Sequence, residues 1–275
     1  MKLYHADAFT DTLFGGNPAA VCLLPEEDIR DTDKARIAAE MNLSETAFVL
    51  IKDGSVSLRW FTPEEEVDLC GHATLAAAHI LWERSCFAET EVLRFSSRSG
   101  MLTAKKIGDK IELDFPRLSV QKSKSAPKLK KAFGFAPLYT GRNSTLYMIE
   151  IGDAGELRSL QPDLMALKNI EPGEFLITCR SDDPQYDFMS RYFAPGIGIP
   201  EDPVTGSAHC YLAPYWSAKL GKKTLAGFQA SPRGGVVECE LAGEGRVKLR
   251  GKAVTFFETE IFLYDRITEC DRKKS

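Results

Sequence analysis

Long apolar runs are missing from this chain. None of its 275 residues belongs to a stretch of about 18 consecutive apolar residues, the length that a bilayer-spanning helix requires. The opening residues (MKLYH) lead into a strand-like pattern rather than an export signal. We therefore expect a cytoplasmic protein that has no membrane partner.

Clustered positive charge is missing too. The chain carries 35 Lys and Arg against 39 Asp and Glu, a formal net charge of −4, and its basic residues are scattered. Nucleic-acid binding depends on a concentrated basic face that neutralises phosphates. The composition therefore predicts no nucleic-acid partner.

Metal, disulfide and cofactor motifs are equally scarce. The seven cysteines are odd in number and have no CxxC spacing, and the four histidines have no recognised metal-ligand spacing. A GxSxG nucleophile motif, a phosphate-binding loop and a dinucleotide fingerprint are also missing. The sequence thus predicts reduced thiols, no metal and no cofactor. With these chemistries disfavoured, we expect proton transfer on a bound organic anion.

What the sequence does contain is an internal duplication. The phrase RWFTP at residues 59–63 returns 132 residues later as RYFAP at residues 191–195. Acidic residues follow each phrase, and then a glycine opens an apolar run, Gly71 in the first copy and Gly206 in the second. The duplication predicts that each half contains a central helix that begins at its glycine.

A third repeated feature lies upstream of these phrases. Asn17 and Asn143 are 126 residues apart, and an aliphatic segment follows each of them. A chain of this length can form two units that each bury a core. We therefore divide the chain into residues 1–117 and 118–275, with the last strand able to return to the first half.

Hydrophobic patterns predict one enclosed helix and many strands in each half. The run 72–82 is apolar around nearly its whole circumference, and 208–220 repeats it, with Pro214 expected to kink or shorten the helix. Residues 46–51 are apolar on both alternating faces, which is typical of a strand buried on both sides. The polar, basic segment 122–131 is the best linker candidate.

These elements define the predicted fold class. Strands and helices do not alternate regularly along the chain, so a doubly wound parallel sheet is disfavoured. We predict an α+β protein of two pseudo-symmetric halves. Each half is a curved, mostly antiparallel sheet wrapped around its central helix.

The start of each central helix is the best place for a negatively charged ligand. Unpaired backbone N–H groups and the positive end of the helix dipole favour an anion there. Gly71 and His72 stand at the first helix start, and Gly206 and Ser207 stand at the second. Together with Asn17, they are the candidates for binding a small carboxylated substrate.

Four side chains could take part in the chemistry. Glu45 leads into the strand buried on both sides, where desolvation would raise its pKa towards the range useful for proton transfer; a solvent-facing or capping glutamate is the alternative. His72 lies at a helix end that favours a neutral imidazole able to hydrogen-bond a substrate. Asp202 either orients His72 across the cleft or caps its own helix. Cys70 precedes a helix start, which can lower a thiol pKa, or it is simply an apolar filler.

Five motifs in chain order together resemble the phenazine-biosynthesis PhzF-like family. They are GGNP at 15–18, NLSETAF at 42–48, CGHAT at 70–74, DPVTGSAH at 202–209 and RGG at 233–235. The resemblance covers essentially the whole chain. It implies the diaminopimelate epimerase-like fold, in which two pseudo-symmetric halves each wrap a central helix and the site lies between them.

The resemblance also implies an activity and roles for particular residues. Glu45 matches the general acid/base that moves a proton within the substrate, while His72, Asp202 and Ser207 match positions that line the site. The best-known reaction of the family isomerises trans-2,3-dihydro-3-hydroxyanthranilate in a homodimer, without metal or organic cofactor. We therefore expect a cofactor-independent isomerase that forms a homodimer, although the family does not fix the substrate.

Two other functions stay open. Related epimerases use two cysteines as opposed bases, one at each central helix, and this chain has Cys70 for the first whereas Pro203 falls near the second. A two-thiol racemase is therefore disfavoured. An amino-acid racemase or epimerase that uses Cys70 with Glu45 is one alternative, and a non-catalytic binding protein with a retained pocket is the other.

Overall fold

The structure of the protein is a computed structural model that describes residues 1–25, 27–124, 127–243 and 245–263. The first part of the chain forms two helices, α1 (Asp31–Met41) and α2 (Gly71–Glu83). Its strands are β1 (Lys2–Ala8), β2 (Asn17–Leu23), β3 (Thr46–Lys52), β4 (Ser55–Phe61), β5 (Glu66–Val67), β6 (Leu93–Ser97), β7 (Gly100–Ile107) and β8 (Lys110–Pro116).

The second part of the chain repeats this plan with additional short helices. Its helices are α3 (Pro127–Phe133), α4 (Ala154–Ser159), α5 (Leu164–Lys168) and α6 (Gly206–Leu220), with a 3-10 turn at Pro195–Ile197. Its strands are β9 (Gln121–Lys122), β10 (Tyr139–Arg142), β11 (Tyr147–Glu150), β12 (Phe175–Arg180), β13 (Phe188–Ala194), β14 (Ile199–Asp202), β15 (Thr224–Gln229), β16 (Gly235–Ala242), β17 (Arg246–Gly251) and β18 (Ala253–Glu260).

The two halves pair their strands in the same order. Neighbouring strands in the first sheet are β18, β1, β2, β3, β4, β6, β7 and β8. In the second sheet they are β9, β10, β11, β12, β13, β15, β16 and β17. The third and fifth pairings of each series are parallel and the others antiparallel, which confirms the predicted mostly antiparallel α+β architecture.

One exchanged strand and one shared ladder join the halves. Strand β18, late in the chain, pairs with β1 of the first sheet, whereas β9, its counterpart in the second sheet, belongs to the second half itself and pairs with β10. Strands β8 and β17 pair with each other and connect the two sheets. The division at residue 117 itself stays a prediction.

The central helices are enclosed, as their apolar sequences predict. Helix α2 packs against β1, β2, β3 and β8, and α6 packs against β15, β16 and β17. Side chains from both helices belong to a single buried core, which includes Leu75 and Leu81 from α2 and Leu212 and Trp216 from α6. Because this core crosses from one half to the other, the two helices are held in a fixed relation.

Outer helices cover the opposite faces of both sheets. Ile37 and Ala38 of α1 pack with Phe48 and Phe61 on one sheet. On the other sheet, α3, α4 and α5 cover β11, β12 and β13. Strand β3 is therefore covered on both faces, which explains why its sequence is apolar on both.

The predicted linker is wrong over its second part. Helix α3 occupies Pro127–Phe133, and its Leu129, Ala132 and Phe133 are buried against the second sheet. Apolar residues at i, i+3 and i+4 form one buried face of a short helix, which the intervening lysines obscured. Residues 125 and 126 lie outside the described residues.

Pro214 does not shorten the second central helix. Helix α6 runs through Pro214 from Gly206 to Leu220. A proline has no backbone N–H to donate to the carbonyl four residues earlier. That carbonyl, of Cys210, instead accepts a hydrogen bond from the backbone N–H of Leu118 at 3.0 Å. The chain entering the second half thus replaces the missing helical bond.

Helix length also bears on the membrane question. Within the described part of the chain, no helix is both long enough and apolar enough to cross a membrane.

Candidate active site

The starts of the two central helices meet at the centre of the molecule. A Cβ atom added to Gly71 would lie 3.5 Å from the Cα of Gly206, and one added to Gly206 would lie 3.5 Å from the Cα of Gly71. These are ordinary van der Waals distances, so the two helix starts are in direct contact. The residues before them, Cys70 and Thr205, are extended N-caps whose side chains do not cap the helices. The backbone N–H groups of both first turns are therefore available to a ligand.

A cavity of about 130 Å³ lies beside these helix starts. Its lining residues from the first half include Glu45, Cys70, Gly71 and His72. Those from the second half include Glu174, Tyr192, Asp202, Gly206 and Ser207. The tertiary structure therefore brings Glu45, His72, Asp202, Gly71, Gly206 and Ser207 to a single cavity, with both halves contributing to its wall.

Glu45 and His72 face each other on the first-half wall. Glu45 immediately precedes β3, and its side chain is 17% exposed. Its Oε2 lies 3.5 Å from Nε2 of His72, an ion-pair distance that does not meet hydrogen-bond geometry. Both atoms are buried without a hydrogen-bond partner among the described residues. Because buried polar atoms are normally paired, these two are suited to a ligand that supplies the missing bonds.

Asn17 connects His72 to Asp202. Its Nδ2 lies 2.8 Å from Oδ1 of Asp202 and 3.2 Å from Nδ1 of His72, and it also donates to the carbonyl of Val204 at 2.9 Å. An Asn amide nitrogen can only donate, so Nδ1 of His72 accepts and the imidazole proton resides on Nε2, facing Glu45. Asp202 thus acts on His72 through Asn17 rather than by direct contact.

Asn17 itself lies behind the cavity wall. Its side chain is fully buried, and it is not among the residues that line the cavity. The loop before it is held by Arg233, whose guanidinium donates to the carbonyls of Gly15 and Gly16 and to Asp7. This placement suits Asn17 to orienting His72 rather than to the direct substrate contact that the sequence predicts.

A second network fixes Asp202. Its Oδ2 accepts a hydrogen bond from the hydroxyl of Thr205 at 2.5 Å. The amide of Gln229 donates to the backbone carbonyl of Asp202 at 2.8 Å, and its oxygen accepts from the backbone N–H of Thr205 at 2.8 Å. Asp202, Thr205 and Gln229 are each at most 8% exposed. The carboxylate therefore stands rigidly at the second helix start without capping it directly.

Burial sets the protonation of the cavity groups. Desolvation raises the pKa of Glu45, and the negative charge of Asp202 raises it further. The nearby His72 and a hydrogen bond with Cys70 lower the pKa, each by less than desolvation raises it. Desolvation also raises the pKa of the Cys70 thiol well above its ordinary value, and Glu45 raises it further. Of the two alternatives for Cys70, a thiol pKa lowered at the helix start is therefore wrong, because desolvation outweighs the backbone hydrogen bond with Ala73 that lowers this pKa.

One group of potential metal ligands coincides with the site. Glu45, Cys70 and His72 each offer one ligand atom, and these atoms all lie within 4.8 Å of one another. An oxygen, a sulfur and a nitrogen donor form a set that zinc accepts. A thiol must lose its proton to bind metal, and the raised pKa of Cys70 opposes that loss.

Three residues of this region were not predicted from the sequence. Glu174 and Tyr192 line the cavity, while Gln229 supports Asp202 together with Thr205 of the 202–209 motif. The available signal was the duplication itself, since Tyr192 belongs to the repeated phrase and Glu174 precedes a strand equivalent to β3. Thr205, rather than Pro203, is the N-cap counterpart of Cys70.

Comparison with known sequences gives a consistent result. The model of a family described as phenazine biosynthesis-like protein matches residues 6–259. An uncharacterized isomerase of Halalkalibacterium halodurans is 48% identical over 262 residues, which cover 95% of this chain and 98% of that protein. A phenazine biosynthesis-like domain-containing protein of Homo sapiens is 37% identical, with 94% and 98% covered.

Solved structures agree with the sequence comparison. A PhzF family phenazine biosynthesis protein of Enterococcus faecalis has a TM-score of 0.90 at 40% identity, with 95% of this chain and 99% of that chain covered. A probable proline racemase of Agrobacterium radiobacter has a TM-score of 0.62 at 10% identity, with 97% and 94% covered. The second likeness is one of fold.

Proposed function

This chain belongs to the phenazine biosynthesis-like family, and on that premise we propose that it is a cofactor-independent isomerase in which Glu45 moves a proton within a small carboxylated substrate. The family, the α+β fold and the isomerase class predicted from the sequence are confirmed by the relatives. The observation that carries the proposal is the pair of unpartnered buried atoms, Oε2 of Glu45 and Nε2 of His72, beside two helix starts.

The substrate carboxylate binds at the helix starts in this proposal. The first turns at Gly71 and Gly206 present backbone N–H groups and the positive ends of two helix dipoles to one cavity. The side chain of Ser207 is exposed there and can add a hydroxyl donor. Binding at this point orients the substrate, so that one carbon lies next to Glu45.

Glu45 then acts first as a base and afterwards as an acid. Its carboxylate takes a proton from one carbon, the double bond shifts, and Glu45 returns the proton to another carbon. A raised pKa suits this exchange because it brings the proton affinity of the carboxyl group closer to neutral pH. His72, oriented by Asn17 and Asp202, donates a hydrogen bond from Nε2–H to the substrate or to Glu45 and keeps its proton. A dihydro-3-hydroxyanthranilate-like acid contains the required carboxylate and shiftable double bond.

The substitution Glu45→Gln tests the proposal. With trans-2,3-dihydro-3-hydroxyanthranilate as the probe, we expect kcat to fall by ~10²- to 10⁴-fold, because the amide cannot accept the proton. Circular dichroism and binding of the probe are expected to stay near those of the unmodified protein. Glu40→Gln, an exposed glutamate on α1, is the matched control. Turnover by Glu45→Gln within threefold of the unmodified protein would reject the assignment.

A Cys70-dependent racemase is the second candidate, and one observation favours it. The Sγ atom of Cys70 lies 3.5 Å from Nδ1 of His72 and lines the same cavity. Its high thiol pKa and the Thr205 hydroxyl at the equivalent position weigh against it. Incubation of amino acids in deuterated water decides the matter, since this mechanism requires exchange at the α-carbon that Cys70→Ser abolishes.

The assembly and location of the protein stay predictions. A homodimer and a cytoplasmic location were expected from the family resemblance and from the sequence. Sedimentation of the purified full-length chain would measure its oligomeric state.

A further inference from the structure

The duplication provides a second glutamate at the position equivalent to Glu45. Glu45 immediately precedes Thr46 of β3, and Glu174 immediately precedes Phe175 of β12. Thr46 pairs with Phe61, and Phe175 pairs with Phe193, which is the third residue of the same repeated phrase. The strand register therefore makes Glu174 the counterpart of Glu45 in the second half.

Both glutamates face one cavity. Glu45 and Glu174 each line the space beside the helix starts, one from each half. Desolvation raises the pKa of both carboxyl groups, and the negative charge of Asp202 adds to the rise in each case. In Glu174 the hydrogen bond from Tyr192 opposes the rise. Two carboxyl groups, one from each half, thus line the cavity and are available for proton exchange with a ligand there.

Tyr192 holds Glu174 in place. Its hydroxyl donates to Oε2 of Glu174 at 2.5 Å, and among the described residues it is the side chain that hydrogen-bonds this carboxyl group. Tyr192 is 6% exposed and occupies the place that Trp60 has in the first copy of the phrase. Because Tyr192 uses Oε2, the second carboxyl oxygen is left for a ligand in the cavity.

From this geometry we infer that Glu174 is a second proton carrier, contributed to the cavity by the second half as Glu45 is by the first, and positioned by Tyr192. The inference rests on the proposed isomerase function and changes its second step, because Glu174 instead of Glu45 donates the proton to the other carbon. Glu45 as carboxylate breaks one C–H bond of the substrate and keeps the proton. The electron pair moves through the shifting double bond, and the carboxylic acid of Glu174 supplies the proton for a new C–H bond at the other carbon.

The step balances without any oxidant or reductant. One C–H bond breaks, one C–H bond forms, and the substrate and product have the same composition. Turnover leaves Glu45 protonated and Glu174 ionised, with the new carboxylate stabilised by the Tyr192 hydroxyl. Exchange of both groups with water after product release restores the starting state. The proton that enters the product is therefore a solvent-derived one.

The substitution Glu174→Gln separates this two-carrier mechanism from transfer by Glu45 alone. With trans-2,3-dihydro-3-hydroxyanthranilate as the probe, we expect kcat to fall by ~10²- to 10⁴-fold while KM changes less than about threefold. The control is Glu171→Gln, an exposed glutamate three residues earlier on the same loop, which should act as the unmodified protein does. In deuterated water, the product should gain one solvent deuteron for each turnover.

A substitution at the supporting tyrosine tests the positioning role. Removing the Tyr192 hydroxyl removes a bond that lowers the pKa of Glu174, so Tyr192→Phe should raise that pKa. Glu174 acts as the acid, so the alkaline limb of the kcat profile should move to higher pH, with kcat reduced by about tenfold. A purely structural role of Tyr192 would leave the position of this limb unchanged.

The outcomes distinguish the two proposals. Loss of turnover in Glu45→Gln with retained turnover in Glu174→Gln, or intramolecular transfer of a substrate deuteron, overturns the second carrier and leaves the isomerase intact. Turnover that survives Glu45→Gln overturns the isomerase mechanism itself.

If the unmodified protein does not convert the probe, a titration in the absence of substrate tests the role of Glu174. The carboxyl carbons of Glu45 and Glu174 are titrated by ¹³C NMR in the ligand-free protein, with the two Gln variants assigning the signals. Both are expected to titrate above an ordinary glutamate and to fall in Asp202→Asn. A Glu174 signal that titrates at the ordinary value and ignores Asp202→Asn overturns the inference.

Discussion

The two halves share a backbone plan but contribute different chemistry to the cavity. Their strands pair in the same order, and both central helices begin with glycine at the point where the halves meet. The first half contributes Glu45, Cys70 and His72, whereas the second contributes Glu174 and Asp202. The repeated features are those that build the sheets and helix starts, together with the equivalent glutamates Glu45 and Glu174, whereas the other side chains that face the ligand have diverged.

Two pairs of equivalent positions show how the halves differ. The N-cap of the first helix is the thiol residue Cys70, and that of the second is the hydroxyl residue Thr205. Trp60 pairs with Val67 in the first half, and Tyr192 pairs with Asp202 in the second. The hydroxyl side chains of the cavity lining, those of Tyr192, Thr205 and Ser207, therefore all lie on the second-half wall. The site is asymmetric although the fold is nearly symmetric.

An arginine–glutamate pair, in contrast, is present in both halves. Arg59 donates through Nε and Nη2 to Glu66 at 2.7 and 2.6 Å, and Arg191 donates in the same way to Glu201 at 2.7 and 2.8 Å. Each pair ties the strand of the repeated phrase to the acidic loop before the central helix. The two pairs differ in burial, since the side chain of Arg59 is 24% exposed and that of Arg191 is 8% exposed.

The largest expected effect on stability comes from removing the more buried arginine, Arg191. Arg191→Met should lower the free energy of unfolding by about 3 kcal/mol, because the Arg191 side chain is 8% exposed and its removal leaves Glu201, whose side chain is 16% exposed, without its partner. It also removes the hydrogen bond that Arg191 donates to the carbonyl of Leu160 at 2.5 Å. Urea unfolding followed by circular dichroism measures the loss.

The matched substitution in the first half should have a smaller effect. Arg59→Met should lower the free energy of unfolding by about 1 kcal/mol, because the pair is partly solvated and Arg98 lies 3.1 Å from Glu66. Equal losses for the two substitutions would show that burial does not distinguish the halves.

Neutralising Asp202, the carboxylate at the second helix start, should have a moderate effect on turnover. Asp202→Asn should reduce kcat by about 10- to 100-fold, because it disrupts the link through Asn17 that orients His72. Asp202 also raises the pKa of Glu45 through its negative charge, so its removal should lower that pKa. Glu45 begins as the base, active when ionised, and the acidic limb of kcat should therefore move to lower pH.

The matched control for this prediction lies in the acidic loop of the first half. Asp68 is 78% exposed, so Asp68→Asn should leave both kcat and the pH profile unchanged. A pH–rate profile of Asp202→Asn that coincides with that of the unmodified protein would contradict the electrostatic link between the halves.

The smallest effect on turnover is expected from replacing Cys70, the N-cap of the first central helix. Cys70→Ser should reduce isomerase turnover by less than about tenfold, because the proton carriers in the proposal are carboxyl groups. Burial and the high pKa of Cys70 also predict that iodoacetamide at pH 8 alkylates the exposed Cys86 much faster. Mass spectrometry of the peptides measures both rates. Faster labelling of Cys70 would restore the racemase candidate.

Patterns within single elements were sufficient to predict much of the fold. The apolar run after Gly71 predicted an enclosed helix, and residues 46–51 predicted a strand covered on both faces; both are confirmed. Helix α3 was missed because its buried face consists of three residues among lysines. Burial of so short a face depends on the neighbouring sheet, which a local pattern does not contain.

The candidate site was only partly accessible from the sequence. Glu45 and His72 stood out because each lies at the end of a strongly apolar element. Glu174 and Tyr192 did not, because a glutamate before a strand and a tyrosine in a strand are ordinary features. Their significance depends on the register that aligns β12 with β3, and register is a property of paired strands.

The sequence by itself determined the duplication, the two enclosed helices and their glycine starts, because these follow from local periodicity and from residue types with restricted conformations. The tertiary structure alone decided that the helix starts meet within van der Waals distance, that Asn17 lies behind the cavity, and that burial raises the pKa of Cys70. Contact and desolvation depend on residues distant in the chain, and the distance between those residues is fixed only when both halves pack on one core.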